Sequence, residues 1–284
     1  MSDNSTFDSI EKAVEQAQSG NQDALEHVLR SIEKQVYSLS VRMLWHPEDA
    51  KDAAQEILLR IVTHLSTFRG DSKFSTWVYR IACNHLLNFR KSRLETADMT
   101  FESFGEDLAE GLSDQAKVHP DDLILLQEIR VGCTLGMLLC LDRAHRIAYI
   151  MGEILELDSS EAGAILGIRP QTFRKRLERA RQGIVRFMQA KCGLVDPQNQ
   201  CRCHKRLSHA IAIGRVNPHQ TLFAGDSTDA SKFPQLLSTI RRLEHAQRAV
   251  ALYRSHPEYN SPEDFTAAVK RLVANERHIS ITER

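Results

Sequence analysis

Residues 158–186 have the sequence DSSEAGAILGIRPQTFRKRLERARQGIVR, which predicts two short helices joined by a tight turn. Asp158 followed by Glu161 has the spacing of a capping box, which marks a helix start. Gly167 suits a helix end, because glycine readily adopts the left-handed conformation found there. Pro170 suits the first turn of the next helix, where its missing N–H is not needed. The turn is therefore expected between Gly167 and Pro170.

The second of these helices is strongly basic. Its apolar residues recur at helical spacing and would pack on one face, while the other face would present cations. The basic residues are Arg169, Arg174, Lys175, Arg176, Arg179, Arg181 and Arg186, with Glu178 as the one acid among them. A short helix, a turn and a basic helix form the layout of a helix-turn-helix that binds DNA. A merely solvated basic helix is the plainer alternative, but the size of the charge excess favours DNA.

The non-apolar side of the basic helix carries side chains that can bond to base edges. Arginine and lysine can donate to guanine, glutamine can pair with adenine, and glutamate can accept from cytosine. The residues predicted to contact DNA there are Gln171, Thr172, Arg174, Lys175, Glu178 and Arg179. The remaining cations would neutralise phosphates, which adds affinity without sequence choice.

Composition predicts an all-α protein built from small domains. The 284 residues have zero formal net charge, 42% apolar residues, 13 Gly and 8 Pro, and no alternating strand pattern of useful length. Residues 1–10 lack the features of a secretory signal, and no apolar run approaches the roughly 20 residues of a membrane helix. A cytoplasmic protein without a membrane partner is expected. In that reducing compartment the six cysteines are not expected to form disulfides.

Local charge and periodicity divide the chain into four parts. The expected parts are a helical domain at 1–94, an acidic linker at 95–120, the helix-turn-helix domain at 121–190 and a C-terminal extension at 191–284. Nine acids and one lysine occupy residues 95–122, where little periodicity is visible. Helices are predicted near 8–18, 22–45, 47–66, 74–93, 121–138, 142–155, 159–166, 170–189, 232–254 and 262–276. The stretch from Cys192 to Arg206 is predicted to be irregular.

Two segments of the first domain also carry chemistry. Asp49, Asp52 and Glu56 recur at three- and four-residue steps and could bind a basic protein surface. Taken alone, an ordinary acidic helix start is the simpler explanation of these carboxylates. Further along, aromatic residues around Trp77 alternate with Asn84 and cations, a combination that suits stacking on unpaired bases. Core packing of Trp77 is an equally good explanation.

The two domains together resemble the sigma-70 family of bacterial RNA polymerase initiation subunits, in its compact extracytoplasmic-function group. Residues 49–56, DAKDAAQE, look like the family's polymerase-binding motif. Residues 68–84, FRGDSKFSTWVYRIACN, look like its minus-ten segment, and residues 141–181 look like its minus-thirty-five domain. The resemblance covers most of residues 20–190 and keeps the order of the three motifs.

The resemblance implies a sigma factor that binds RNA polymerase core, recognises the minus-ten and minus-thirty-five promoter elements and promotes strand opening. The residues of the region 2-like domain expected on the polymerase clamp are Asp49, Asp52, Gln55 and Glu56. Those expected on promoter DNA, double- or single-stranded, are Trp77, Arg80, Asn84, Asn88, Arg90 and Lys91. The region 4-like helix-turn-helix would read the upstream element, and the acidic linker would thread toward the RNA exit path. An anti-sigma factor, or the extension acting in cis, is the expected regulator.

Four residues depart from the family pattern: Lys51, Val78, Ala162 and Gly163. Lys51 replaces the acid usual in the middle of the polymerase-binding motif, which predicts weaker or tuned docking. Gly163 lies within the first helix of the helix-turn-helix, where glycine costs roughly 1 kcal/mol relative to alanine. That cost predicts a less rigid reading unit.

The extension contains a candidate metal site. Cys192, Cys201, Cys203 and His204 offer three thiols and an imidazole, a donor count that suits Zn²⁺. Their spacing matches no standard zinc finger, so a surface loop with incidental thiols is the favoured interpretation and no cofactor is required. Neighbouring cations predict a lowered thiol pKa and raised reactivity.

Two other functions are compatible with these residues. One is a stand-alone helix-turn-helix regulator that has a thiol- or zinc-sensing tail and never binds polymerase. The other is a thiol or zinc enzyme, which is disfavoured because no catalytic triad or phosphate-binding loop is visible. The sequence therefore predicts a DNA-binding initiation factor that is not an enzyme.

Overall fold

The computed structural model describes residues 9–90, 99–114, 122–224, 227–259 and 264–271. The predicted all-α class is confirmed, because the described residues form helices, with two isolated β-bridges and no strand. None of the described helices combines the length and the apolar character that crossing a membrane requires.

The described part of the first domain is built around a long central helix. Its helices are α1 (Ile10–Gln18), α2 (Gln22–Leu44), α3 (Pro47–His64) and α4 (Phe74–Asn88), with a 3₁₀ turn at Leu65–Thr67. The central helix is α2, which packs against α1, α3 and α4. The predicted helix at 74–93 ends early, because Phe89 is already extended. Residues 91–94, including Lys91, lie outside the described residues.

A helix lies inside the predicted acidic linker. Helix α5 (Phe101–Ala109) starts at a capping box in which Thr100 and Ser103 satisfy each other's backbone N–H groups. It buries Phe104, whose ring stacks on Phe187 at a centroid distance of 5.7 Å. The prediction of little periodicity is therefore wrong for this stretch. The boundaries of the linker stay a prediction, and residues 115–121 lie outside the described part.

The second domain contains the predicted helix-turn-helix. Its helices are α6 (Leu123–Leu139), α7 (Arg143–Tyr149) with a π-helical continuation at Ile150–Ile154, α8 (Ser159–Leu166) and α9 (Pro170–Lys191). The Asp158 side chain accepts from the N–H groups of Ser160 and Glu161, which confirms the predicted helix start. Gly167 has a φ of +64°, which confirms the predicted left-handed end of α8.

The extension folds back onto both domains. Its helices are α10 (Cys203–Ala212), α11 (Ser227–Ile240), α12 (His245–Arg254) and a helical segment at 265–271. The irregular stretch predicted up to Arg206 is shorter, because α10 already begins at Cys203. The single helix predicted at 232–254 is two helices, because a capping box between Glu244 and Gln247 starts α12 anew.

Two arginines of the second domain fix its position on the first. Arg146 is buried and donates to the backbone oxygen of Met43 at the end of α2, as well as to those of Leu138 (2.9 Å) and Leu141 (3.0 Å). Arg143 donates to the backbone oxygens of Leu86, Leu87, Phe89 and Arg90, at distances from 2.5 to 3.2 Å. The last carbonyl groups of a helix lack partners within that helix, so these guanidinium groups complete the ends of α2 and α4.

Candidate nucleic-acid interface

The basic helix α9 turns its predicted base-reading side chains to solvent. Its apolar face is buried through Phe173, Ala180 and Ile184, as the periodicity predicted. The six predicted contact residues, Gln171, Thr172, Arg174, Lys175, Glu178 and Arg179, are all exposed. Donors and acceptors that bond base edges are thus available along one face of a packed helix.

Two of the basic side chains of α9 also support the domain itself. Arg181 forms an ion pair with Glu153 of the π-helical turn, with its Nε 2.7 Å from Oε1. The Arg174 guanidinium donates to the Ser159 hydroxyl of α8 at 3.1 Å. Arg181 therefore holds α9 against α7 and does not belong to the base-reading face.

Gly163 is required by the close approach of the turn to α8. A Cβ atom at this position would lie 2.9 Å from the backbone oxygen of Ile168 and 3.4 Å from the nitrogen of Pro170. Contacts below 3.0 Å to backbone force the chain to shift. The missing side chain therefore lets the turn pack directly on α8, and the expected loss of rigidity stays a prediction.

The aromatic segment of the first domain places Trp77 on two other rings. Its indole is half-buried, with its centroid 5.5 Å from the Phe68 ring and 5.8 Å from the Phe74 ring. Both earlier interpretations thus fit, because the ring packs partly in the core and partly faces out. Further along the same helix, Asn84 and Asn88 are exposed, and the Asn88 amide donates to the backbone oxygen of Asn84 at 2.8 Å.

The minus-ten-like helix α4 lies directly against the helix-turn-helix. The Arg80 guanidinium donates to the backbone oxygen of Ala164 at 3.2 Å. The Thr76 hydroxyl donates to the carboxylate of Glu161 at 3.4 Å. In this conformation Arg80, predicted to bind DNA, is engaged by the other domain.

The acidic side chains of α3 share one groove with the predicted DNA-binding side chains of α4. Arg90 bridges Asp49 and Asp52, with Nη2 3.3 Å from a carboxylate oxygen of each. The Nε2 atom of His85 lies 3.6 Å from a carboxylate oxygen of Glu56. The groove is lined by Asp52, Glu56, Arg60, Asn84, His85, Asn88, Phe89 and Arg90. The structure thus joins two sets of residues that the sequence assigned to different partners, with Gln55 half-buried beside them.

The cysteine cluster differs from the predicted one. Cys192, Cys201 and Cys203 line one cavity together with Cys133 of α6, which the sequence did not single out, while His204 is not part of the wall. Burial raises the pKa of the Cys201 thiol to about 11 and that of Cys203 to about 12. The predicted lowering of the thiol pKa is wrong, because burial outweighs the neighbouring cations. Among the described residues, no three His, Cys, Asp or Glu side chains are already arranged to hold a metal ion.

The capped helix α8, the tight turn and the exposed basic helix α9 together define a helix-turn-helix protein. Residues 22–95 match the family model of sigma-70 region 2. The chain is 29% identical over 180 residues to the ECF RNA polymerase sigma factor SigW of Bacillus subtilis and 30% identical over 173 residues to the ECF RNA polymerase sigma-E factor of Escherichia coli. It covers 94% and 90% of these relatives. The chain therefore belongs to the extracytoplasmic-function group of the sigma-70 family, and it is an RNA polymerase sigma factor.

The relatives match only part of this chain. The SigW and sigma-E comparisons involve 62% and 60% of it, so more than a third of the residues have no counterpart there. A solved structure described as CnrH in complex with the cytosolic domain of CnrY covers 63% of this chain and 96% of its own, with 18% identity and a TM-score of 0.45. Since the relatives are covered almost completely, the alternative of a stand-alone regulator gains no support.

Proposed function

We propose that this sigma factor binds RNA polymerase core through α3, reads the minus-thirty-five element with α9 and captures the minus-ten element with α4. The observation that carries the proposal is the exposed base-reading face of α9 in a helix-turn-helix whose first helix is capped at both ends. Binding of unstacked bases would offset the few kcal/mol needed to unstack a step of the duplex. The factor would act in the cytoplasm by binding alone, without catalysis.

On α3, the exposed carboxylates of Asp52 and Glu56 are suited to a basic surface on the polymerase clamp. Arg90 now pairs with Asp52, and the Arg90 side chain is 68% exposed. An exposed ion pair contributes only about 0–1 kcal/mol. The clamp could therefore replace Arg90 at small cost, which would release this arginine toward DNA.

On α4, the half-buried Trp77 and the exposed Asn84 are suited to a flipped base. An aromatic ring offers a stacking face, and an amide can bond to the base edge. Because Phe68 and Phe74 hold the indole in place, little ordering would be needed when a base arrives.

The compact arrangement described above would have to open for promoter binding. The minus-ten and minus-thirty-five elements lie about 25 base pairs apart, which is roughly 85 Å at 3.4 Å per base pair. With Arg80 of α4 bonded to Ala164 of α8, the two DNA-binding surfaces lie side by side. They could not reach both elements at once, so we regard this arrangement as the closed, inactive form.

The C-terminal extension supports a role as the regulator of this closed form. Arg254 binds the second domain, with its Nη1 atom 2.8 Å from the carboxylate of Glu156. On the other side, three described residues of the extension bind α2 of the first domain through the ion pairs Glu258–Lys34 (3.1 Å), Asp264–Arg30 (3.5 Å) and Lys270–Glu26 (2.5 Å). By bridging both domains, the extension would act in cis and oppose their separation.

The test of the proposed function is run-off transcription with purified core polymerase and a library of genomic promoters. The intact chain is expected to confer initiation on a subset of templates. The double variant Lys175→Ala, Arg179→Ala should lose that activity, since each base contact contributes about 1–3 kcal/mol. The matched control, Arg186→Ala, removes an exposed cation beyond the base-reading residues. The proposal would be overturned if neither the intact chain nor a variant with a weakened contact between extension and α2 bound core polymerase or initiated on any template.

A further inference from the structure

A cavity at the junction of the second domain and the extension is walled by four thiols. The cavity has a volume of about 250 Å³ and lies between α5, α6, α10 and the loop before α10. Cys133 reaches it from α6, Cys192 and Cys201 from the loop, and Cys203 from the first residue of α10. Elsewhere its wall is mostly apolar, with side chains such as Phe104, Leu108 and Phe223.

The backbone of the loop holds three of these thiols close together. Cys192 and Cys201 face each other in an isolated parallel bridge, and the N–H of Gly193 donates to the backbone oxygen of Cys201 at 3.0 Å. Cys203 follows two residues later. The N–H groups of Val195 and Asp196 donate to the backbone oxygen of Cys192, at 3.1 and 2.9 Å, which fixes the chain directly after this cysteine.

The charges around the cavity also suit a set of thiolates. Arg206 lines the same cavity, and a cationic side chain favours the charged form of a nearby thiol. A bound metal ion would act in the same direction, because it binds the deprotonated sulfur.

We propose that Cys133, Cys192, Cys201 and Cys203 bind one thiophilic divalent cation of the Zn²⁺ class. Zn²⁺ in structural sites takes four ligands in a tetrahedron, and four thiolates are a common set. As each metal–sulfur bond forms, the S–H bond breaks and its proton passes to solvent, so four protons leave for each ion bound. Among the described residues no three such side chains are already grouped to hold a metal ion, so binding would require the four sulfurs to move toward one another.

This ligand set differs from the one expected from the sequence. Cys133 takes the place of His204, whose imidazole does not line the cavity. Because Cys133 belongs to α6 and the other ligands belong to the extension, the ion would tie the extension to the second domain. That consequence rests on the proposed regulatory role of the extension, whereas the metal site itself does not.

The site is tested with the full chain, reduced by a phosphine and freed of metal by a chelator. Cd²⁺ is titrated in while the cadmium–thiolate charge-transfer band is followed, and bound Cd²⁺ and Zn²⁺ are counted by elemental mass spectrometry. One ion per chain is expected. Cys133→Ser and Cys203→Ser should each weaken binding at least roughly 10-fold, the loss that even a supporting residue of a metal site produces.

Two matched controls and one measurement without variants complete the test. Cys140→Ser replaces a thiol at the end of α6 that does not line the cavity, and His204→Ala removes the imidazole. Both variants should bind the metal ion as tightly as the parent chain does. Proton release, measured with an indicator near neutral pH, should approach four per ion and needs no variant that could misfold. Absence of stoichiometric binding, release of two protons or fewer, or loss of binding in His204→Ala with retention in Cys133→Ser would each overturn the proposal.

Discussion

The guanidinium of Arg80 on α4 donates a hydrogen bond to the backbone oxygen of Ala164 on α8, at 3.2 Å. Arg80 was predicted to bind promoter DNA, and Ala164 belongs to the helix-turn-helix, so the bond joins the two surfaces that should bind separate DNA elements. A single exposed hydrogen bond contributes about 1 kcal/mol. Other contacts must therefore supply most of the stability of this arrangement, among them those of Arg143 and Arg146 and, as proposed above, those of the extension.

Removing an apolar anchor of the extension should favour the open form. Phe265 is fully buried, and its ring lies 5.7 Å from that of Tyr37 on α2. Phe265→Ala should weaken docking of the segment by about 3–5 kcal/mol, through lost burial and the cavity left behind. We expect faster proteolysis of the extension and higher run-off transcription per mole of factor.

The control for this prediction is Lys34→Ala, which removes an exposed ion pair with Glu258. Such pairs contribute about 0–1 kcal/mol, so output should stay close to that of the parent chain. If Phe265→Ala lowered transcription while polymerase binding was intact, the extension would be an activating element and not an inhibitory one.

Docking of the extension should weaken in mild acid because of His256. Its imidazole is buried between the Thr134 hydroxyl and the Tyr259 hydroxyl, each at 2.7 Å. Burial, followed by the charges of Arg130 and Arg42, lowers the pKa of His256 well below its usual value. The docked state therefore binds fewer protons than the undocked state, whose histidine has an ordinary pKa of about 6.5. Docking is fully stable above about pH 6.5 and loses stability as the pH falls below it.

Hydrogen exchange of α12 between about pH 7.5 and pH 5.5 measures this effect, after correction for the intrinsic exchange rate. His256→Gln should flatten the pH dependence, whereas substitution of the exposed His219 should leave it unchanged. Burial also lowers the pKa of His85 in the first domain, so only the difference between the parent chain and His256→Gln is diagnostic. Equal slopes in the two proteins would refute the assignment to His256.

Gly163→Ala should destabilise the helix-turn-helix although alanine is the better helix former. The new methyl group would press on the backbone oxygen of Ile168 at 2.9 Å, and overpacking of this kind costs about 1–3 kcal/mol. The propensity gain of about 1 kcal/mol does not compensate. The melting temperature of the variant should be lower than that of the parent chain, and its binding to promoter DNA should be weaker.

The opposite change at the next residue is the control, because Ala164 is exposed. Ala164→Gly should cost only the propensity difference of about 1 kcal/mol. A Gly163→Ala variant that is as stable as the parent chain would show that the turn can relax away from α8.

Polymerase binding should depend on the outer carboxylates of α3. Asp52→Arg with Glu56→Arg reverses two exposed charges in the groove beside α4, and a pull-down of core polymerase should fail. Glu48→Arg reverses another exposed acid in the first turn of the same helix, outside the groove, and should leave the pull-down intact. Retention of polymerase by the double variant would place the docking surface elsewhere on the chain.

The local structure of the DNA-binding unit was predictable from the sequence. A cap at Asp158, a left-handed stop at Gly167 and a proline at the start of α9 each act within a few residues, so short-range signals were enough. The exposed face of α9 followed from its periodicity for the same reason. Helix α5 was not predicted, because residues 95–122 are strongly acidic and such a composition indicates a linker. The helical spacing of Phe101, Phe104 and Leu108 would have indicated it.

The remaining features depend on contacts between distant parts of the chain. Arg143 and Arg146 look like ordinary helix-start cations in the sequence, and only the fold brings them to the ends of α2 and α4. Cys133 lies far along the chain from Cys192, Cys201 and Cys203, and no local pattern connects it to them. The need for glycine at position 163 likewise appears only when the turn is in place.

The hydrogen-bond partners of Arg146 are divided unequally between the two domains. Of the carbonyl groups named for this buried side chain, only that of Met43 belongs to the first domain, while those of Leu138 and Leu141 travel with the arginine. Separation of the domains would expose the Met43 carbonyl to water, while the bonds of Arg146 to Leu138 and Leu141 would stay within the second domain. The contact could therefore break and form again while both domains stay folded.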